Sequence, residues 1–152
     1  MELVFLALGS NLGNRRQLMD SAISMINERC GIVKETSPFY ETEPVGFDSD
    51  NLFLNACVSI QTTMDPLELL TETQKIETEL GRIRHDDGVY HSRTLDIDIV
   101  IYGNLILNEE SLCIPHANFR ERDFVLRPLK DIAPNLIDPV TKKSIQELIE
   151  SL

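Results

Sequence analysis

One stretch of alternating side chains, residues 93–102, limits the possible folds of this chain more than any other. Successive side chains of a β-strand point to opposite faces of its sheet, so aliphatic residues at every second position predict a strand with one core face. That core face would consist of Leu95, Ile97, Ile99 and Ile101. Asp96 and Asp98 would lie side by side on the other face, with their Cα atoms about 6.6 Å apart.

Two carboxylates at this spacing repel each other, and a half-buried sheet face is a costly place for them unless a cation lies between them. Mg²⁺, a hard ion that prefers oxygen ligands, is the natural partner of Asp96 and Asp98. A solvated acidic pair explains the stretch by itself equally well. Arg93, at the start of the strand, favours the first interpretation, because a cation beside two acids suggests a site that handles metal-bound phosphate.

The net charge of −11 excludes one broad class of function. General binders of nucleic acid or acidic membranes need a positive face, so any phosphate site here must be a local cluster of Lys and Arg. The three cysteines are widely spaced and predict neither a disulfide framework nor a zinc site. The apolar run 3–8 is too short for a signal peptide, and no segment approaches the length of a membrane span. We therefore expect one cytoplasmic domain over residues 1–152 that binds no nucleic acid and no membrane.

The remaining patterns predict an α+β fold. The apolar run 3–8 is typical of a central strand, and residues 53–62 alternate like the strand at 93–102. Apolar residues at helical spacing predict helices from about residue 15 to 30, over 66–80 behind the N-cap residue Asp65, and within 144–152. Strands and helices do not alternate regularly, which favours a largely antiparallel sheet.

Two further features are candidates for ligand binding. Phe53 and Asn55 share the strand face opposite the core, as the two aspartates do, and an aromatic next to an amide is what a flat heterocyclic ligand needs. A lone aromatic in such a place more often packs under a loop. The polar segment 82–92 carries Arg82 and Arg84 just before the acidic strand, and a segment of this kind in a compact domain tends to be functional or disordered.

Three classes of function compete on these residues. One is a metal-dependent phosphoryl-group transferase that acts on a small flat molecule. The second is a nucleotidyltransferase of the polymerase-beta kind, in which a Gly-Ser turn opens a helix and an Asp-x-Asp strand holds metals. In that class the acids follow the turn within about a dozen residues, whereas here more than half the chain separates Gly9-Ser10 from Asp96, so it is the weaker alternative. The third is a non-catalytic ferredoxin-like regulatory module, which would have no use for the paired aspartates and the arginine-rich segment.

Short motifs are spaced along nearly the whole chain. They are Leu8-Gly9-Ser10-Asn11-Leu12, Phe39-Tyr40-Glu41-Thr42, Pro44-Val45-Gly46, Phe53-Leu54-Asn55-Ala56, Gly81-Arg82-Ile83-Arg84, Arg93-Thr94-Leu95-Asp96-Ile97-Asp98-Ile99, Pro115-His116 and Arg122-Asp123-Phe124-Val125-Leu126. Their joint order and spacing resemble those of the 6-hydroxymethyl-7,8-dihydropterin pyrophosphokinase family, folate-pathway enzymes that move the β,γ-diphosphate of ATP to the hydroxymethyl group of a pterin. The resemblance implies a ferredoxin-like three-layer αβα arrangement around a mainly antiparallel sheet.

The resemblance also implies roles for matching positions. Asp96 and Asp98 would hold two Mg²⁺ ions that bridge the ATP phosphates, and with Arg82, Arg84 and Arg93 they would form the catalytic set. The pterin site would consist of Thr42, Pro44, Val45, Asn55 and the ring-stacking residues Phe53 and Phe124. The ATP site would consist of Gln74, Glu77, Arg82, Arg84, Arg93, Ile99, His116 and Arg122. The expected partners are ATP and a hydroxymethyl dihydropterin, and the expected oligomeric state is a monomer.

Overall fold

The computed structural model describes residues 1–11, 14–42, 52–80 and 95–152 of the chain. The strands are β1 (Glu2–Ser10), β2 (Ile32–Thr36), β3 (Tyr40–Thr42), β4 (Phe53–Thr62), β5 (Asp96–Tyr102), β6 (Leu107–Asn108) and β7 (Cys113–Ile114). The helices are α1 (Arg15–Arg29), α2 (Pro66–Leu80), a 3₁₀ helix (Phe119–Glu121), α3 (Asp123–Ile132) and α4 (Ile145–Glu150).

An antiparallel sheet in the order β2-β4-β1-β5 forms the middle layer, and β3 also pairs with β4. β6 and β7 pair separately. The N-terminal strand β1 is central and is paired on both sides, which explains its continuous apolar run: its side chains meet a helical layer on each face. The expected α+β fold with a mainly antiparallel sheet is confirmed. Within the described residues, no helix is both long enough and apolar enough to cross a membrane.

Helices α1 and α2 cover the first face of the sheet, and α2 begins directly after its predicted N-cap residue Asp65. Asn14 accepts a hydrogen bond from the Gln17 amide at 3.2 Å. At α2, the Asp65 carboxylate accepts from the Glu68 amide at 2.8 Å, and the Glu68 carboxylate accepts from the Asp65 amide at 3.1 Å, which is a reciprocal capping box. The core on this face includes Leu6, Leu8, Met19, Ile26, Val58, Ile60, Leu69 and Ile76.

Helices α3 and α4 cover the second face, around a smaller core that includes Phe5, Cys57, Phe119, Leu126, Leu129 and Ile145. The sequence patterns mark residues 125–129 as core without identifying a helix. The reason is Pro128, which lies inside α3 although proline removes a backbone donor and is disfavoured in helix interiors. Because α3 buries Val125, Leu126 and Leu129 against the sheet, tertiary packing outweighs the local preference.

The prediction that Ile101 shares a face with Ile97 and Ile99 is wrong. Leu6 of β1 pairs with Ile99, but its neighbour Phe5 pairs with Ile101, so β5 carries one extra residue, Val100. Such a β-bulge interrupts the two-residue period of the strand. Ile97 and Ile99 therefore belong to the first core, whereas Ile101 packs with Phe5 in the second.

Candidate active site

Three residues from neighbouring strands form a row across the second face of the sheet. In the register of the sheet, Gly9 of β1 is paired with Asn55 of β4 on one side and with Asp96 of β5 on the other. We call these three residues the site row. Because strands in a sheet lie about 4.8 Å apart, the Cα atoms of Asn55 and Asp96 are about 10 Å apart across it. The polar residues predicted on two distant strands thus belong to one surface.

A second row, two residues further along each strand, completes the floor. Ala7 is paired with Cys57 on one side and with Asp98 on the other. Cys57 is fully buried, and burial raises the pKa of its thiol far above the ordinary value, so it is inert packing. The central strand contributes only glycine and alanine here, which leaves open space above it.

That space is a cavity of about 390 Å³ between the sheet and the start of α3. Seven of the predicted site residues line it: Thr42, Phe53, Asn55, Asp96, Asp98, Arg122 and Phe124. Glu121 and Asp123 line it as well. The structure therefore brings together the predicted pterin residues that it describes and the predicted metal pair.

At the amide end of the cavity, Asn55 is held between two neighbours. Its Nδ2 donates a hydrogen bond to the Thr42 hydroxyl at 2.5 Å. A Cβ atom on Gly9 would lie 3.0 Å from Asn55 Oδ1. Glycine at this position is therefore what lets the amide lie close to the central strand. The paired amide and hydroxyl present donors and acceptors suited to the polar edge of a flat ring.

Two aromatic rings line the cavity, one from the sheet and one from the helical layer on its second face. Phe53 lies on β4, and Phe124 lies in the first turn of α3. The Arg122 guanidinium lies 5.6 Å from the centroid of the Phe124 ring, within the range of a cation–π contact. Two aromatic rings from different layers are suited to holding a planar ligand.

At the acidic end, His116 faces Asp98 across 4.0 Å, from Nε2 to Oδ2. His116 Nδ1 accepts a hydrogen bond from the Asn118 amide at 3.2 Å, so in the neutral ring the proton is on Nε2 and points toward Asp98. Burial lowers the pKa of His116, Asp98 raises it by less, and the positive charge of Arg122 lowers it further. The pKa of His116 is therefore below its ordinary value, which favours the neutral imidazole at pH 7.

The predicted ATP residues on α2 differ from each other in position. Glu77 is buried, and its Oε2 accepts a hydrogen bond from the Ile97 amide of β5 at 2.8 Å. Gln74 is exposed and lies in a separate shallow groove on the outer surface of α2, with Arg29 and Lys75. It does not line the cavity that the described residues form.

Ile99 has its side chain in the first core, on the face away from the cavity. β5 is an edge strand in the sheet of the described residues, and the Ile97 amide donates to Glu77 instead of to β1. Ile99 is two residues further on along β5, so its main-chain amide has the same orientation as that of Ile97, away from β1. The predicted site residues Pro44, Val45, Arg82, Arg84 and Arg93 lie outside the described residues.

The sequence reasoning missed Gly9 as a site residue and interpreted it as part of a turn. The apolar run before it has no alternation, so the pattern could not show which side of β1 faces a ligand. It also missed Glu121 and Asp123, which flank Arg122. Their closeness to Arg122 in the chain was the available signal.

The chain belongs to the 7,8-dihydro-6-hydroxymethylpterin-pyrophosphokinase (HPPK) family, whose model matches residues 5–134. It is 45% identical to the 2-amino-4-hydroxy-6-hydroxymethyldihydropteridine pyrophosphokinase of Porphyromonas gingivalis, over 88% of this chain and 92% of that protein. It is 44% identical to the folic acid synthesis protein fol1 of Pneumocystis carinii, over 99% of this chain but only 20% of that protein.

Solved structures give the same fold. The crystal structure of wild-type HPPK-DHPS from Plasmodium falciparum superposes with a TM-score of 0.81, at 16% identity, over 99% of this chain and 44% of that chain. The chain thus spans about a fifth of the fungal relative and less than half of the solved one. The polymerase-beta-like alternative is not supported, because the family that matches is a different one.

Proposed function

We propose that this chain transfers the β,γ-diphosphate of ATP to the hydroxymethyl group of 6-hydroxymethyl-7,8-dihydropterin, giving AMP and the pterin diphosphate in folate synthesis. The observation that carries the proposal is the site row, in which an amide suited to a flat ring and a carboxylate suited to a metal lie on either side of Gly9. Family membership and the names of the bacterial relatives support the same activity.

The pterin would lie between Phe53 and Phe124, with its polar edge on Asn55 and Thr42. Each stacked ring contributes roughly 0.5–1.5 kcal/mol beyond the burial of its area. Asn55 matters more for selectivity, since an analogue without the matching polar groups would leave the buried amide unpaired. Pro44 and Val45 are proposed to complete the frame.

Asp96 and Asp98 would hold Mg²⁺, and we propose two ions. Within the described parts of the chain, no three acidic, histidine or cysteine side chains form a group that could hold a metal by themselves. Proteins usually bind Mg²⁺ through one or two carboxylates together with substrate phosphates, and the two aspartates would supply the carboxylates. When bound, the metal neutralises charge on the triphosphate and orients it.

The protein's own part in the reaction is positioning, because phosphoryl transfer needs little covalent help. The floor of Ala7 and Gly9 leaves room for the hydroxymethyl group between the ring site and the acidic pair. Arg122 and the Nε2 proton of His116 would face the phosphates, with Arg82, Arg84 and Arg93 proposed to add positive charge. Gln74, Glu77 and the main chain of Ile99 are proposed for the nucleotide end. A single domain over 1–152, a monomer and a cytoplasmic location stay predictions.

The test is the release of AMP from ATP with and without the hydroxymethyl dihydropterin and Mg²⁺. We expect AMP only when all three are present. Asp96→Asn and Asp98→Asn should each lower the rate by about 10²-fold or more, since each removes a ligand of the charge-neutralising metal. Asp20→Asn is the matched control, because Asp20 is an exposed acid that pairs with Arg16 at 3.6 Å on α1. AMP release without pterin, or wild-type rates in Asp98→Asn, would contradict the proposal.

A further inference from the structure

A largely buried ion pair between Arg120 and Asp138 lies outside the cavity lining and has no part in the mechanism above. The Asp138 side chain has no exposed surface. Arg120 donates two hydrogen bonds to this carboxylate, from Nε to Oδ2 at 2.5 Å and from Nη2 to Oδ1 at 3.0 Å. The Val140 amide donates to Oδ1 at 3.0 Å, and the Thr141 hydroxyl donates to Oδ2 at 2.8 Å. Each carboxylate oxygen therefore accepts two hydrogen bonds.

Arg120 lies at the centre of the 3₁₀ helix, two residues before Arg122. Its guanidinium lies 4.7 Å from the centroid of the Phe119 ring, and Phe119 itself is fully buried in the second core. The guanidinium is therefore fixed by a ring as well as by a carboxylate. A bidentate contact with this geometry allows little freedom of orientation.

The segment that follows Arg120 lines the cavity with five consecutive residues, 121–125. Backbone bonds join it to its neighbours, such as Arg122 N to Phe119 O at 3.2 Å and Val125 N to Arg122 O at 3.0 Å. Within the described residues, the side chains of the N-cap residues Asn118 and Arg122 make no capping hydrogen bond to the 3₁₀ helix or to α3. The ion pair of Arg120 is thus a side-chain anchor for a segment whose own N-cap side chains supply none.

The backbone of Asp138 is itself held in place by hydrogen bonds within a turn. Its amide donates to the Lys143 carbonyl at 2.9 Å, and its carbonyl accepts from the Lys142 amide at 2.9 Å. Ile137 and Ser144, just outside this turn, form an isolated β-bridge. Asp138 does not itself line the cavity.

We propose that Asp138 is a positioning residue for the pterin site: through Arg120 it fixes the 3₁₀ helix so that Arg122 and Phe124 face the cavity. The inference rests on the proposed function, because it takes the cavity as the pterin site. If it is right, breaking the pair weakens pterin binding from outside the cavity.

The test compares pterin affinity, by calorimetric titration, in wild type, Asp138→Asn, Arg120→Gln and the double variant. Asn has the shape of Asp but turns one acceptor into a donor that faces Arg120. We expect each single variant to raise the Kd about tenfold, as a small displacement of binding groups does. The double variant should be no weaker than either single one, because both changes break the same contact. In steady state, KM for the pterin should rise by a larger factor than kcat falls.

Ser144→Ala is the matched control. Ser144 caps α4 in a capping box with Glu147, so its loss destabilises the same C-terminal region without touching the ion pair. We expect it to lower the unfolding midpoint and leave the pterin Kd unchanged. If Asp138→Asn does not fold, Thr141→Ala removes one donor to the carboxylate and keeps the pair, and should raise the Kd about twofold to threefold, as the loss of one weak bond does.

The outcomes separate the two proposals. A wild-type chain that does not bind the pterin contradicts the proposed function. A wild-type chain that binds it, beside an Asp138→Asn variant with the same Kd, overturns the positioning role. The role is also overturned if Ser144→Ala weakens binding as much as Asp138→Asn at an equal loss of stability, or if the effects of Arg120→Gln and Asp138→Asn simply add.

Discussion

The substitution Gly9→Ala tests the site row at its centre. The new Cβ would lie 3.0 Å from Asn55 Oδ1 and 3.8 Å from Phe53 Cδ1. The second distance is an ordinary contact, but the first requires the amide to move by a few tenths of an ångström. Asn55 would then leave the position in which it donates to Thr42 at 2.5 Å.

The expected cost falls on binding more than on folding. Alanine is better than glycine inside a strand by roughly 0.5–1 kcal/mol, which offsets much of the strain at Asn55. A ligand group left without its buried partner costs about 1–3 kcal/mol. We therefore expect the free energy of unfolding to change by less than about 1 kcal/mol. The Kd for the pterin should rise at least about fivefold, since 1.4 kcal/mol is tenfold.

Gly31→Ala is the matched control, because it should lower stability without changing pterin binding. Its Cβ would lie 2.3 Å from the Gln61 carbonyl oxygen, a backbone atom that cannot turn away as a side chain can. Gln61 is six residues beyond Asn55 on β4, about 20 Å along the strand, so this clash is remote from the cavity. We expect a loss of about 1–3 kcal/mol of stability, typical of overpacking, with an unchanged pterin Kd.

Urea denaturation of both glycine variants gives the free energy of unfolding, and calorimetric titration gives the pterin Kd. Wild-type affinity in Gly9→Ala would refute the placement of the ligand against Asn55. Weakened binding in Gly31→Ala, in proportion to its lost stability, would show that affinity follows global stability and not the geometry of the site row.

Two further predictions concern buried carboxylates. Glu77→Leu should lower the free energy of unfolding by about 1–3 kcal/mol, because the Ile97 amide loses its acceptor. Glu77→Gln keeps an acceptor and should cost clearly less. Equal losses of unfolding free energy in the two variants, measured by urea denaturation, would contradict this role of Glu77. Burial raises the pKa of Asp138, but hydrogen bonds from Arg120, Val140 and Thr141 outweigh it and hold the pKa below its ordinary value. The resulting stability is complete above about pH 4 and is lost as the pH falls through the lower folded pKa. Urea midpoints of wild type and Asp138→Asn should therefore converge on acidification, and a constant gap down to about pH 2 would contradict this.

Local chemistry predicted the first helical layer well. Asn14 and Asp65 are strong N-cap residues, and each is followed by apolar residues at helical spacing, so the starts of α1 and α2 are encoded within a few residues. Helix α3 could not be predicted in the same way. Its Pro128 contradicts a helix locally, and only packing on the sheet outweighs it.

The grouping of the site residues depends on strand order and register, which a local pattern does not contain. Alternation shows that Asp96 and Asp98 share a face of one strand, and that Phe53 and Asn55 share a face of another. It does not show which strand lies between them, or in which register. Only the pairing of β1 with both partners places Asn55 and Asp96 about 10 Å apart. The resemblance to a known family supplied the grouping that alternation could not.

The bulge in β5 explains how one sheet face serves both as site and as core. Along β1, the second face passes from Phe5, which packs under α3 and α4, through Ala7 to Gly9 in the site. Opposite them, β5 passes from Ile101 through Asp98 to Asp96. With strict alternation Ile101 would point to the first face, and Val100 alone would pack against Phe5 from this part of β5. With the bulge, both Val100 and Ile101 are buried in the second core, so the apolar core closes directly beside the acidic pair. A buried boundary there keeps the two carboxylates at the open end of the sheet, where the proposed metal-bound phosphate would meet them.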